Sequence, residues 1–281
     1  MSSFSDENII LTSGDNTSTQ TNTITFNLPV PYISDGNDTI SLATLSLYNS
    51  WYNLTSVFNN LTVAYKLNGT TYNITFPPGS YQVTDLNAFI QLQMKNNNHY
   101  LVDNNGNNVY FISLQLNPVY YCVTLTCTPI PSSLPIGWTN PGSCPLTGFT
   151  PLLLTDNSNW PILIGFAQNG TFPAVQQSTI YQVNSTLIPQ ITPITSINAT
   201  CSWVNSSKFS RKYNVIQSFT SSGYTSGQLI SFYPPALLFY KVVPGNYSNI
   251  SVSFIDQLGR SLQMNDTSQI QIILILRSLN K

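Results

Sequence analysis

Residues 249–281 read NISVSFIDQLGRSLQMNDTSQIQIILILRSLNK, and in this stretch a strand, a turn and a second strand follow from residue order alone. Ile250, Val252 and Phe254 alternate with Ser251 and Ser253, the period-2 pattern of a strand with one buried face. Asp256-Gln257-Leu258-Gly259 then places Asp first and Gly last in a type I turn, where the carboxylate accepts from nearby backbone and Gly relieves the exit. Asp256 is therefore read as structural, and Arg260 to Met264 is expected to leave the turn as a strand. From Ser268 to Arg277 a further strand puts Ile270, Ile272, Leu274 and Leu276 on one face and Gln269, Gln271, Ile273, Ile275 and Arg277 on the other. Between Ile272 and Leu276 both faces are apolar, and leaving an isoleucine in water forgoes ~1.5–3 kcal/mol relative to burial. Ile273 and Ile275 are expected to lie under another segment of the chain or an adjacent subunit, and they are the candidates for a subunit interface.

Charge is scarce along the rest of the chain. Asp, Glu, Lys and Arg make up 7% of the 281 residues while aromatic residues reach 12%, against a usual charged share of ~25%. Such a composition argues against disorder. The net charge of −1 supplies no pull toward nucleic acid or anionic lipid, so direct nucleic-acid binding is not expected. No apolar run reaches the ~18 residues of a membrane span, and Met1 to Gly14 lacks the basic-then-apolar order of a signal peptide. A cytosol-like site of synthesis is expected, with no membrane insertion. The many Asn-x-Ser/Thr triplets, including those at Asn73 and Asn249, are then read as chance in an Asn-, Ser- and Thr-rich chain.

Taken in order, residues 1–22 form a polar arm, mobile or bound to a partner, and residues 23–281 a single β domain. Thr23 to Leu28 is the first core strand, closed by Pro29 and Pro31. Thr39 to Leu47 follows, with a bulge near Ala43-Thr44 needed to bring Ile40, Leu42, Leu45 and Leu47 to one face. Asn68-Gly69 predicts a type I′ hairpin between Leu61–Leu67 and Thr70–Phe76. One short helix is expected after Pro77-Pro78-Gly79, capped by Thr84, with Leu86, Phe89, Ile90 and Met94 on its apolar face. Residues 128–161 hold closely spaced prolines and are read as an irregular insertion. Further strands are expected at Val109–Leu116, Tyr120–Thr128, Ser196–Val204, Gln228–Tyr233 and Leu237–Val243. The sum is an all-β antiparallel sandwich, a single jelly roll with one helix and a Pro-rich insertion.

No catalytic set is legible. The chain has one histidine, His99, in Asn96-Asn97-Asn98-His99, read as a solvated loop residue. Cys122 and Cys127 have opposite strand parity, and Cys144 and Cys201 lie far from both, so all four are read as reduced, mostly buried thiols rather than a metal site. Lys208, Arg211 and Lys212 form a small basic cluster without interleaved aromatic residues, read as a solvated loop. No metal, cofactor or enzymatic activity is expected.

The order of several short motifs resembles one family. Tyr48-Asn49-Ser50-Trp51-Tyr52-Asn53, then Phe76-Pro77-Pro78-Gly79-Ser80-Tyr81 leading into Val83-Thr84-Asp85-Leu86-Asn87-Ala88-Phe89-Ile90, is similar to the N-terminal signature of the penton (minor capsid) proteins of virophages and Maverick/Polinton-type DNA viruses. Cys201-Ser202-Trp203-Val204, Ile230-Ser231-Phe232-Tyr233-Pro234 and the closing Ile255 to Ile275 segment resemble the second half of that family. The Pro-rich residues 128–161 depart from its pattern. The resemblance implies a single jelly roll that forms homopentamers at icosahedral fivefold vertices, among trimers of a major capsid protein, in virions assembled in the host cytoplasm. A receptor-binding fibre head or lectin-like sandwich is the alternative; a glycosidase would need a carboxylate pair in a cleft.

Overall fold

Phe4–Thr12 is strand (β1), inside the stretch expected to be an arm. Asp6, Glu7 and Asn8 blur its alternation, yet it is an edge strand of its sheet, where charged side chains are tolerated and discourage further pairing. In the computed structural model, residues 4–15, 17, 22–205, 213–265 and 269–279 are described. β2 (Thr23–Ser34) buries Ile24 and Phe26 and runs on past Pro29 and Pro31. It too is an edge strand, and Leu28 to Pro31 bulge out of the ladder, so the prolines' missing N–H groups break no sheet bond. β3 (Thr39–Tyr48) buries Ile40, Leu42, Leu45 and Leu47, and its register slips at Ala43, the expected bulge.

The next stretch folds into shorter pieces. β4 (Thr62–Leu67) and β5 (Thr70–Thr75) are joined by Asn68 at φ 49° and Gly69 at φ 80°, the two positive angles of a type I′ turn. α1 (Val83–Asn96) buries Val83, Leu86, Ile90 and Met94. Its cap is Gln82, two residues before the expected Thr84, because the Asp85 carboxylate accepts from the Gln82 N–H at 2.8 Å. Then come β6 (Leu101–Val102), β7 (Asn108–Val109), β8 (Ile112–Asn117), β9 (Cys122–Cys127) and β10 (Leu152–Leu154). A second helix, the four-residue α2 (Trp160–Leu163), ends the Pro-rich stretch, with Pro161 in its first turn, where the absent N–H is not needed. β11 (Thr171–Phe172) and β12 (Tyr181–Asn184) complete this part.

The remaining strands are β13 (Ile197–Cys201), β14 (Val215–Phe219), β15 (Leu229–Phe232), β16 (Tyr240–Lys241), β17 (Gly245–Asp256) and β18 (Gln271–Leu279). After the Asp256 turn, Arg260 to Met264 makes only isolated bridges at Ser261 and Met264 instead of the expected strand. The reason is local. Asp256 Oδ1 accepts from the Leu258 and Arg260 backbone N–H groups at 2.9 and 2.8 Å, and Oδ2 accepts from Arg260 Nε at 2.7 Å, so the carboxylate holds the exit of the turn in a curl.

Two compact units result: residues 1–52 with 194–281, and residues 53–193. In the first, β1, β2, β3, β13, β14, β15, β17 and β18 can be counted first to eighth. Their sheets then read first-eighth-third-sixth and fifth-fourth-seventh-second, with the short β16 added beside β3. Every connection except the fourth to fifth crosses between sheets, the nested order of an eight-stranded jelly roll. Inward residues such as Leu42, Leu45, Ile272, Leu274, Ile250 and Phe254 are buried and form its core. The second unit occupies the connection between third and fourth strands, so the interruption of the jelly roll is the whole of residues 53–193, with the expected 128–161 insertion only a part of it. Its core joins Tyr65, Phe76, Leu86, Ile90, Leu125, Leu153 and Trp160 beneath the β11-β10-β4-β5 and β12-β9-β8 sheets.

Candidate functional site: the outer faces of the jelly roll

The two sheets of the jelly roll present chemically different outer faces. On the β14-β13-β17-β2 sheet, outward Thr and Ser side chains bond one another across strands: Thr23 Oγ1 to Ser253 Oγ and Thr25 Oγ1 to Ser251 Oγ at 2.8 Å each, with Thr200 Oγ1 donating to the Ser253 carbonyl at 3.2 Å. Those bonds satisfy the hydroxyls over the β2–β17 pairing, while Val30 and Ile33 further along β2 stay exposed. On the β1-β18-β3-β15 sheet, strand parity turns Ile273 and Ile275 outward, beside Ile10, which pairs with Ile273 across β1 and is 58% exposed. Flanked by β1 and β3, Ile273 and Ile275 themselves are half-buried.

At one end of that stripe Arg277 bonds Asp6 through both carboxylate oxygens, at 2.7 and 2.8 Å, and its guanidinium carbon lies 4.0 Å from the centre of the Phe239 ring. The hydrogen bond from Arg277 holds the Asp6 carboxyl below its ordinary value. Ile10 was missed by sequence reading because it sits in the presumed arm; the signal was the apolar triplet Ile9-Ile10-Leu11.

The motifs that carry the family resemblance make hydrogen-bonded and stacked contacts inside each unit. Within the insert, Asn53 donates from Nδ2 to the carbonyls of Tyr81 and Ile191 at 2.7 Å each and accepts the Tyr81 N–H at 2.8 Å, while Leu54 and Gly79 exchange backbone bonds. The two N-terminal motifs therefore meet at the point where the insert begins. Within the jelly roll, Asn49 Nδ2 donates to the Tyr224 and Thr225 carbonyls. Trp203 stacks on Tyr32, packs at a tilt against Tyr247 and donates from Nε1 to the Asn249 carbonyl at 2.8 Å.

His99 is not solvated. It is 5% exposed, with Nδ1 2.8 Å from the Tyr65 hydroxyl and its ring edge-on to Tyr65 and Tyr72, and Asn97 donates to the same hydroxyl. Burial lowers its pKa, so the neutral ring serves as a packing and hydrogen-bonding piece of the insert core. The backbone N–H of His99 reaches the Met94 carbonyl at the end of α1, and this helix-end bond draws the ring inward in a way the Asn-rich spelling hides.

The four cysteines are free and buried. Burial pushes the thiols of Cys127 and Cys201 up to about 12 and that of Cys144 to about 11, which keeps them protonated and unreactive. Lys208, Arg211 and Lys212 lie outside the described residues. Among the described residues, no three His, Cys, Asp or Glu side chains gather as a metal site would require.

Neither family models nor curated proteins match this sequence. Among solved structures the chain is similar to the selenomethionine-labelled mavirus penton protein, at 11% identity and TM-score 0.46, over 98% of this chain and 98% of that one. It is also similar to a structure of the Sputnik virophage, at 11% identity and TM-score 0.40, over 98% of this chain and 97% of that one. The jelly-roll assignment rests on the strand order described above.

Proposed function

We propose that this chain is a structural capsid subunit of the penton type, which assembles as a homopentamer at the fivefold vertices of an icosahedral virion and meets the virus's major capsid protein around its rim. The observation that carries the reading is the stripe of Ile10, Ile273 and Ile275 on the outer face of the β1-β18-β3-β15 sheet, an apolar surface suited to burial against a neighbouring copy. The motif order along the sequence supports the same reading.

Native mass spectrometry and electron microscopy of the purified protein test it, with pentamers expected. Replacing Ile273 and Ile275 together by Ser is expected to leave a folded monomer, because both side chains point away from the jelly-roll core. Unchanged assembly in that variant would remove this face from the interface, and an unfolded product would show that its cover lies within the chain.

A further inference from the structure

The outer face of the β10-β4-β5 sheet in the insert carries a half-open groove of ≈ 490 Å³, lined by Thr62, Ala64, Asn73, Thr75, Leu154 and Asp156. It is a product of register. Leu154 pairs with Ala64, Ala64 with Asn73, and Thr62 with Thr75, so a small residue stands at the centre of three outward rows and leaves a depression.

The wall is chemically unusual for a bare sheet surface. Asp156 Oδ2 accepts from Thr62 Oγ1 at 3.1 Å and Oδ1 from the Ser158 N–H at 2.9 Å, which fixes the carboxylate without any cation beside it and leaves further acceptor positions open. Thr155, buried behind it, spends its hydroxyl on Ala167 and Gly170 and so anchors the loop that bears Asp156. Among the described residues, Asn73 and Thr75 form no hydrogen bonds with their side chains, which are exposed on this face.

We infer that this groove binds a neutral pyranose sugar. A carboxylate with spare acceptor positions takes two adjacent ring hydroxyls, an amide both donates and accepts, and threonine hydroxyls adapt to either role. Leu154 and Ala64 supply the apolar floor that the C–H face of a sugar needs. The lone negative charge of Asp156 disfavours acidic sugars and phosphates, and the volume falls in the range of small-molecule sites.

The test is titration of the full chain with the methyl glycosides of glucose, galactose, mannose and N-acetylglucosamine, read by saturation-transfer NMR and calorimetry. Bacterial expression keeps the Asn73-Ile74-Thr75 triplet unmodified. At least one glycoside is expected to bind with a Kd of about 1 mM. Ala64→Phe, which fills the depression, should abolish binding, and Asn73→Ala should weaken it about tenfold. The inference is overturned if none binds up to about 10 mM, if a methyl sialoside binds better than all four, or if Asn73→Ala and Ala64→Phe bind as the parent does. Should Ala64→Phe misfold, the exposed Asn73→Ala decides alone. Failure here leaves the assembly proposal standing, since the groove lies in the insert and the apolar stripe in β1 and β18.

Discussion

The jelly roll and the insert both hold together with few charges, and they do it by different means. In the jelly roll, strands as long as twelve residues satisfy their backbone in ladders, and among the described residues an ion pair with a buried carboxylate stands where the chain turns sharply, at Asp256 and Arg260. In the insert no strand exceeds six residues, and much of the backbone lies in loops. There, asparagine amides take the place of missing ladder partners. Asn53 ties Tyr81 and Ile191, Asn60 accepts from Thr55 and donates to Asn53, Asn140 brackets Cys144 from both sides, and Asn159 donates to Phe58. A neutral amide offers a donor and an acceptor at a far smaller desolvation cost than a charge. The scarcity of charge thus has a cause in the interior.

The jelly roll is most vulnerable at Asp256. Its side chain is 0% exposed and serves two backbone donors and Arg260, so Asp256→Ala is expected to destabilise the jelly roll by roughly 3 kcal/mol. Denaturant unfolding with hydrogen exchange in β13 and β17 checks it; protection unchanged in those strands would show that the turn is dispensable. Asn53→Ala should cost about 2 kcal/mol, since three part-buried hydrogen bonds are lost while their backbone partners stay in place. Hydrogen exchange of peptides around Tyr81 and Ile191 reads this loss, and a loss seen only in jelly-roll peptides would contradict the role given to the amide.

The smallest effect is a pH dependence of the insert. His99 is the only histidine, its folded pKa lies below the ordinary 6.5, and the unfolded chain therefore takes up the proton first as pH falls. Its contribution is complete above pH 6.5 and declines as pH drops toward the lowered folded value, by at most about 1.4 kcal/mol per unit. Exchange in the insert between pH 7 and pH 5 should rise in the parent more than in His99→Gln, after correction for intrinsic exchange rates. Equal responses in both proteins would mean that this histidine does not report on the insert core.

Several features could be read before any coordinates were known, and they share a short range. The Asn68-Gly69 hairpin, the Asp256 turn, the body of α1, the bulge at Ala43 and the alternation of β17 and β18 are each set by residues within a few positions of one another. Turn chemistry and periodicity act over that distance and leave a direct mark in the spelling. The outward direction of Ile273 and Ile275 belongs here too, because parity along one strand decides it.

Partnership at long range was left to the tertiary structure. β1 became strand because the last strand offers it an edge 271 residues away at the Asp6–Arg277 pair, and no local pattern outweighs Asp6 and Glu7 without that edge. Pro29 and Pro31 stay within β2 because the strand is an edge, which only the assembled sheet determines. His99 is buried because Tyr65 and Tyr72, brought from a hairpin more than twenty residues earlier, close over it. The division at residues 53 and 193 arises in the same way: apolar residues on both sides of it follow the same periodicities, and which of them share a core is settled by packing and loop closure across the whole chain.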